Sequence, residues 1–184
     1  MRHMISALLY ISLPVMANAD PAALSDLRTG DMKKLAVHSE PVASSDVAFI
    51  SEDGDEMTLA DFGGKVVVLN MWATWCAPCR EEMPHLSALQ ETMGGDAFEV
   101  VTVATGRNPR PAMETFFAEI GVDNLPLHTD LRQELSRSLG VLGLPVTLIL
   151  DREGQEIARL QGDADWSSDS AMAIINAVIA DGQS

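Results

Sequence analysis

The sequence holds two cysteines, separated by two residues, in the run Trp75-Cys76-Ala77-Pro78-Cys79-Arg80. Three kinds of chemistry use such a pair. One is a structural disulfide, but a crosslink closing so short a loop removes little chain entropy. The loop-length relation gives roughly 2 kcal/mol, against ~4.7 kcal/mol for a loop of about a hundred residues. A second is a zinc site, which wants four ligands. His85 lies near in sequence, but no second cysteine pair exists and the other histidines are scattered. The third is reversible thiol–disulfide exchange, and the local setting fits it best. Cys76 falls at or just before the first turn of a helix, where unpaired N–H groups and the helix dipole favour a thiolate. A lowered pKa makes it the better attacking and leaving group at neutral pH. Cys79 lies one turn further in, placed to attack a mixed disulfide and release a reduced partner.

The elements around the pair must hold it at a strand-to-helix junction. Lys65–Met71 is the strongest strand pattern in the sequence, apolar on both faces as a covered central strand requires. A helix is predicted over Glu81–Met93, stopped at Gly94-Gly95. A second buried strand follows at Phe98–Ala104, then a helix over Ala112–Ile120, a short edge strand at Leu125–Thr129 and a helix over Leu131–Leu139. Thr147–Leu150 and Glu156–Leu160 flank the turn Asp151-Arg152-Glu153-Gly154 as a hairpin, and a closing helix runs over Ser168–Ala180. Upstream, Val47–Ile50 and Met57–Leu59 form an extra N-terminal hairpin around Glu52-Asp53-Gly54. This order predicts an α/β, thioredoxin-like fold with a central mixed sheet covered by helices.

Residues 1–19 read as a signal peptide or membrane anchor: Arg2, an apolar stretch from Ile5 to Met16, and Ala17-Asn18-Ala19 as a small-residue cleavage pattern. The apolar stretch falls short of the ~20 residues a spanning helix needs. Residues 20–46 read as an N-terminal helix and linker, with Glu40-Pro41 and Ser44-Ser45 as loop, and 47–184 as the thioredoxin-like domain. The net charge of −15 works against nucleic acid or an anionic membrane surface as partner. Removing residues 1–19 takes away Arg2 alone and leaves −16.

The stretch Asn70-Met71-Trp72-Ala73-Thr74-Trp75-Cys76-Ala77-Pro78-Cys79-Arg80-Glu81-Glu82-Met83-Pro84 resembles the active-site segment of the TlpA/ResA group of thioredoxin-like thiol:disulfide oxidoreductases. Leu139-Gly140-Val141-Leu142-Gly143-Leu144-Pro145-Val146-Thr147 resembles the group's second signature. Thr105–Pro109 and Gly162-Asp163-Ala164-Asp165-Trp166 look most like the TlpA branch. The resemblance implies that Pro145 has a cis peptide bond facing the cysteines and that the backbone of Leu144 receives a client peptide as an added strand. It also implies that Glu82 matches a buried carboxylate of the group, able to accept the proton of Cys79. Many thioredoxins have aspartate where this chain has Asn70, which cannot transfer a proton. Val146 departs from the cytochrome c maturation branch, which usually places glutamate after the proline.

Among the remaining candidates, Trp75 is expected to cap the disulfide surface and Trp72 to lie in the core. Arg80 and His85 read as helix-surface residues, and His38 and His128 as structural or solvated. The expected activity is protein-disulfide reduction in the periplasm. Electrons come from a membrane thiol donor and leave to clients with oxidised cysteine pairs in respiratory cytochrome or copper-site assembly. No cofactor or metal is called for, and a monomer keeps the strand-addition surface open. A copper-binding assembly chaperone and a thiol peroxidase of the redoxin group are the alternatives. The first usually spaces its cysteines more widely, and the second usually lacks a resolving cysteine two residues on.

Overall fold

The computed structural model describes residues 20–181, so the signal-sequence reading of 1–19 lies outside the described residues. Eight strands form one mixed sheet: β1 (Ala36–Ala43), β2 (Phe49–Ile50), β3 (Glu56–Met57), β4 (Val66–Trp72), β5 (Phe98–Thr105), β6 (His128–Asp130), β7 (Val146–Leu150) and β8 (Gln155–Gln161). Among the described residues five α-helices accompany them: α1 (Pro21–Asp26), α2 (Ala77–Met93), α3 (Arg110–Ile120), α4 (Glu134–Ser138) and α5 (Asp169–Asp181). The strand order is β1-β8-β7-β4-β5-β6-β2-β3. Strands β4, β5 and β6 run parallel, while β7 returns antiparallel beside β4 and β8 beside β7. This is the predicted α/β, thioredoxin-like arrangement.

Every residue of β4 is buried, because both faces of the strand are covered. The two-residue period of a strand divides its side chains between two cores. Val66, Val68 and Trp72 join buried residues of α2, α3 and α5, such as Met83, Phe116 and Ile175. Val67, Leu69 and Met71 face the other way, toward Phe62, Leu135 and Leu148. Asn70 shares the face of Val68 and Trp72 by that same alternation. A fully buried polar residue therefore sits under α2 in an otherwise apolar strand.

Residues 36–43 differ from the sequence reading, which placed them in a linker. They form β1 and pair with β8 at the sheet edge. Pro41 and the polar run Ser39-Glu40 hide the strand pattern, and both are tolerated because an edge leaves one side of the backbone unpaired. Between the pairs Val37↔Ala158 and Val42↔Glu156, residues 38–41 bulge out of register. Strand β2 pairs with β3 through a turn in which the Ser51 N–H bonds the Asp55 carbonyl, and it docks on β6 by the single pair Ile50↔Thr129. Strand β6 and helix α4 are displaced and shorter than predicted, since Asp130 accepts from the N–H groups of Glu134 and Ser136 and fixes where α4 begins.

Candidate active site

Helix α2 starts earlier than predicted and takes in the cysteine run. Cys76 is its N-cap residue, and Ala77 and Pro78 form its first two positions. Proline suits this place because the first N–H groups of a helix have no intrahelical acceptor. The two cysteines form a disulfide with Cα atoms 5.3 Å apart. The Cys79 N–H donates to Cys76 Sγ at 3.2 Å, so the sulfur already occupies the seat a thiolate would take at the helix N-terminus. Cys76 keeps 5% of its surface exposed and Cys79 none. Of the two cysteines, Cys76 is the one that a partner can approach without rearrangement.

The loop ahead of Cys76 is held by Asn108. Its Oδ1 accepts from the Thr74 N–H at 2.8 Å and the Thr74 hydroxyl at 2.9 Å, while its Nδ2 donates to the Thr105 carbonyl at 2.8 Å. Trp75 projects outward with 68% exposure, whereas Trp72 is buried against Phe116 and Phe117, with ring centroids 5.0 and 5.2 Å away. Arg80 lies over the Phe116 ring at 4.3 Å and pairs with Glu119 at 3.0 Å. His85 bonds Ser167 and Asp165 at the protein surface.

Glu82 stands one turn beyond Cys79 on α2 and is 1% exposed. Its two oxygens face different donors. Trp166 Nε1 donates to Oε1 at 2.6 Å and Asn70 Nδ2 donates to Oε2 at 3.0 Å. The same Asn70 nitrogen donates its second proton to Thr147 Oγ1 at 2.9 Å, across the β4–β7 pair Asn70↔Thr147. Burial pushes the Glu82 carboxyl from its ordinary 4.5 up to about 7, against the opposing pull of the bonds from Trp166 and Asn70. The Asp163 charge adds to the rise and the Ala164 backbone N–H to the pull. A carboxyl so placed can exchange a proton at neutral pH.

The Leu144–Pro145 peptide bond is cis, as the resemblance implies. Antiparallel pairing sets Val146 against Met71, so Pro145 stands at the end of the sheet from which the cysteine run departs. The Pro145 carbonyl accepts from the Gly162 N–H at 2.9 Å. Leu144 is half-buried between the two cores and Leu142 is almost fully exposed. The segment from Gly162 to Trp166 thus touches both Pro145 and Glu82. Trp166, Thr147 and Asn108 received no role from the sequence. The signal that could have singled out Trp166 is an indole in a polar, glycine-led loop, since a buried indole N–H needs an acceptor.

Two histidines found partners that the sequence did not indicate. His128 is buried and its Nδ1 accepts from the Glu52 N–H at 3.0 Å; burial lowers its pKa. His38 Nε2 lies 2.7 Å from Glu156, which Arg159 grips with two bonds of 2.6 Å. Both clusters are remote in sequence from the cysteine run. Among the described residues, no three His, Cys, Asp or Glu side chains converge as a metal cage.

Comparison with known proteins agrees with this geometry. The Redoxin family profile matches residues 38–175. The thiol-disulfide oxidoreductase ResA of Geobacillus thermodenitrificans is 34% identical over 116 residues, 62% of this chain and 66% of the relative. The chain thus spans just under two thirds of that protein's length. The thiol:disulfide interchange protein HelX of Rhodobacter capsulatus is 33% identical over 147 residues, 80% of this chain and 76% of HelX. A Chlorobium tepidum structure described as a thiol:disulfide interchange protein DsbE superposes with a TM-score of 0.67 at 25% identity, covering 78% of this chain and 99% of that one. With a cysteine pair capping a helix at the end of the sheet where the cis-proline stands, and with similarity to the thiol-disulfide oxidoreductase ResA and the thiol:disulfide interchange protein HelX through most of its described length, the chain belongs to the Redoxin family.

Proposed function

We propose that this protein is an exported thiol–disulfide oxidoreductase that reduces disulfides on client proteins in the periplasm. The reduced Cys76 thiolate attacks one sulfur of a client disulfide, forming a mixed disulfide and expelling the client's other sulfur as a thiolate. Cys79 then passes its proton to Glu82 and attacks Cys76 Sγ. The Cys76–Cys79 bond forms, the mixed disulfide breaks, and two electrons have moved to the client. A membrane thiol donor returns the pair to the dithiol state. Trp75 and the Leu144–Pro145 backbone receive the client segment, and the clients belong to respiratory cytochrome or copper-site assembly.

One observation carries this reading: the disulfide is asymmetric. Cys76 is reachable and seated at a helix N-terminus, whereas Cys79 is wholly enclosed with a neutral-range carboxyl one turn away. That is the division of labour an attacking and a resolving thiol require. Export is supported by Arg2, the Ile5–Met16 stretch and Ala17-Asn18-Ala19. Among the described residues no helix is long and apolar enough to cross a membrane.

The test is trapping with Cys79→Ser in periplasm. The expected result is clients covalently held on Cys76, released by dithiothreitol and absent from a Cys76→Ser control. Recovery of no mixed disulfide, with insulin-type reduction also missing from the wild type, would sink the reductase reading.

A further inference from the structure

The hydrogen bonds around Glu82 are all drawn for its ionised form. Trp166 Nε1–H and Asn70 Nδ2–H both donate to it, one to each oxygen. A protonated carboxyl carries an O–H that must itself find an acceptor, and here each oxygen already faces a donor. A neighbour able to accept is therefore called for whenever Glu82 takes up a proton. The indole cannot serve, because Trp has a donor and no acceptor. Asn70 can, because its amide has a donor end and an acceptor end of nearly the same shape.

The acceptor end of Asn70 is idle. Its Oδ1 is buried with no hydrogen-bond partner in the structure. Turning the amide over gives up the two Nδ2 bonds, breaks none made by that oxygen, and brings the oxygen to the position between Glu82 Oε2 and Thr147 Oγ1. There it can accept from the new Glu82 O–H. It can also accept from Thr147, whose hydroxyl can donate as readily as it accepts. The Glu82 Oε1 carbonyl stays bonded to the fixed indole. One amide rotation thus gives the neutral acid an acceptor, and it moves the Nδ2 donors to the buried position that Oδ1 holds now.

We propose that Asn70 is a two-register positioning residue for the redox pair, its side-chain amide turning over each time Glu82 gains or loses a proton. The inference rests on Glu82 serving as proton acceptor for Cys79. The Cys79 S–H proton goes to Glu82 Oε2, the amide turns, and the sulfur attacks as thiolate. When the client leaves, the proton passes from Glu82 to solvent or to the departing client thiolate, and the amide turns back. An aspartate at this position would place a second carboxylate against the first and offers no donor when ionised.

The test uses the full chain with its disulfide intact, so that neither Cys76 nor Cys79 titrates. Asp163 is then the charged group that bears on Glu82, from the loop after β8, while β4, β5 and β7 offer Asn70, Thr102 and Thr147, which do not titrate. Glu82 protonation is followed by its 13Cδ shift from pH 5 to 9, alongside nuclear Overhauser contacts of the Asn70 Hδ2 protons. The expected result is that the Asn70–Thr147 contacts present at high pH vanish at the Glu82 midpoint, while the Trp166 indole proton stays bonded at both ends. Contacts that persist unchanged through the midpoint overturn the proposal, as does a Glu82 that never titrates. A kinetic arm uses Asn70→Leu in single turnover with a disulfide-bonded peptide. Resolution by Cys79 should slow relative to attack by Cys76 by about tenfold or more, within the span of general-base effects. An unchanged ratio of the two steps overturns the proposal. Failure of the reductase reading shows differently, as absence of peptide reduction by the wild type with the amide titration intact.

Discussion

Glu82 on α2 and Glu156 on β8 are nearly equally buried, 1% and 2% exposed, yet they titrate in opposite directions. Burial alone would raise both. Around Glu82 the donors are neutral, an indole and an amide, and they only soften the rise to about 7. At Glu156 burial is outweighed first by the bonds from Arg159, then by the bond from His38 and by the charges of both, so its pKa falls below the usual carboxylate range. One environment keeps a carboxyl able to exchange protons near neutrality; the other fixes a permanent charge. The difference matches their surroundings. Glu156 ties β1 to β8, and its partner Arg159 also reaches the Leu139 carbonyl at the end of α4. Glu82 lies one turn from a redox-active sulfur. Neutral donors poise a buried acid for chemistry, while a guanidinium commits it to architecture.

The sharpest way to break this contrast is Arg159→Leu. It leaves the Glu156 charge buried with only His38, and the expected loss is about 3–5 kcal/mol of stability. A urea denaturation midpoint at pH 7 measures it. The same substitution should push the Glu156 pKa upward, toward the behaviour of Glu82.

Next in size is the pH dependence of stability that Glu82 imposes. Its pKa is higher folded than unfolded, so between pH 4.5 and about 7 the folded chain holds more protons. Its contribution is present in full below 4.5 and is lost as pH rises through 7. A shift of that size corresponds to about 3 kcal/mol. Glu82→Gln should remove this slope, read by comparing denaturation of variant and wild type across that window. Glu156 has the opposite sign, with stability lost as pH falls through its lowered value.

The same Glu82→Gln variant tests the chemistry. With no carboxylate to take the Cys79 proton, resolution of a mixed disulfide should slow by about 10²-fold, and the intermediate should accumulate in a quenched-flow trace. The smallest expected effect is that of His38→Ala. It removes one charge-assisted bond from Glu156 while Arg159 keeps both of its own, and about 1–2 kcal/mol should be lost. Reductase rates should not change, because His38 touches no part of the cysteine site.

Much of the site was legible because it is local. The strand–cysteine–helix run needs only neighbours in sequence: an apolar strand at 66–72, Pro78 in a first helical turn, and a thiol at the cap. The extent of α2 was less clear. The periodic pattern marks it only from Glu81, whereas the first turn, Ala77–Arg80, is fixed by Cys76 as its cap. Strand β1 was missed for a related reason. Pro41 and the bulge over residues 38–41 spoil the alternation that marks a strand, and pairing with β8 is what makes those residues extended. Glu82 could be proposed from the segment's resemblance to the TlpA/ResA group, but its companions could not. Trp166 is 84 residues away from it and Thr147 is 77 residues from Asn70.

The sequence by itself pointed to thiol–disulfide exchange at Cys76 and Cys79, because two thiols at that spacing on a helix start fit that use better than a staple or a zinc site. It also determined the sheet's central strand, whose apolar residues leave no solvent face. Only the tertiary structure decided which thiol is enclosed, and which glutamate is poised and which is pinned. Those properties depend on what water is excluded and which donors arrive from distant segments, and neither burial nor a partner's charge is written in the residues on either side.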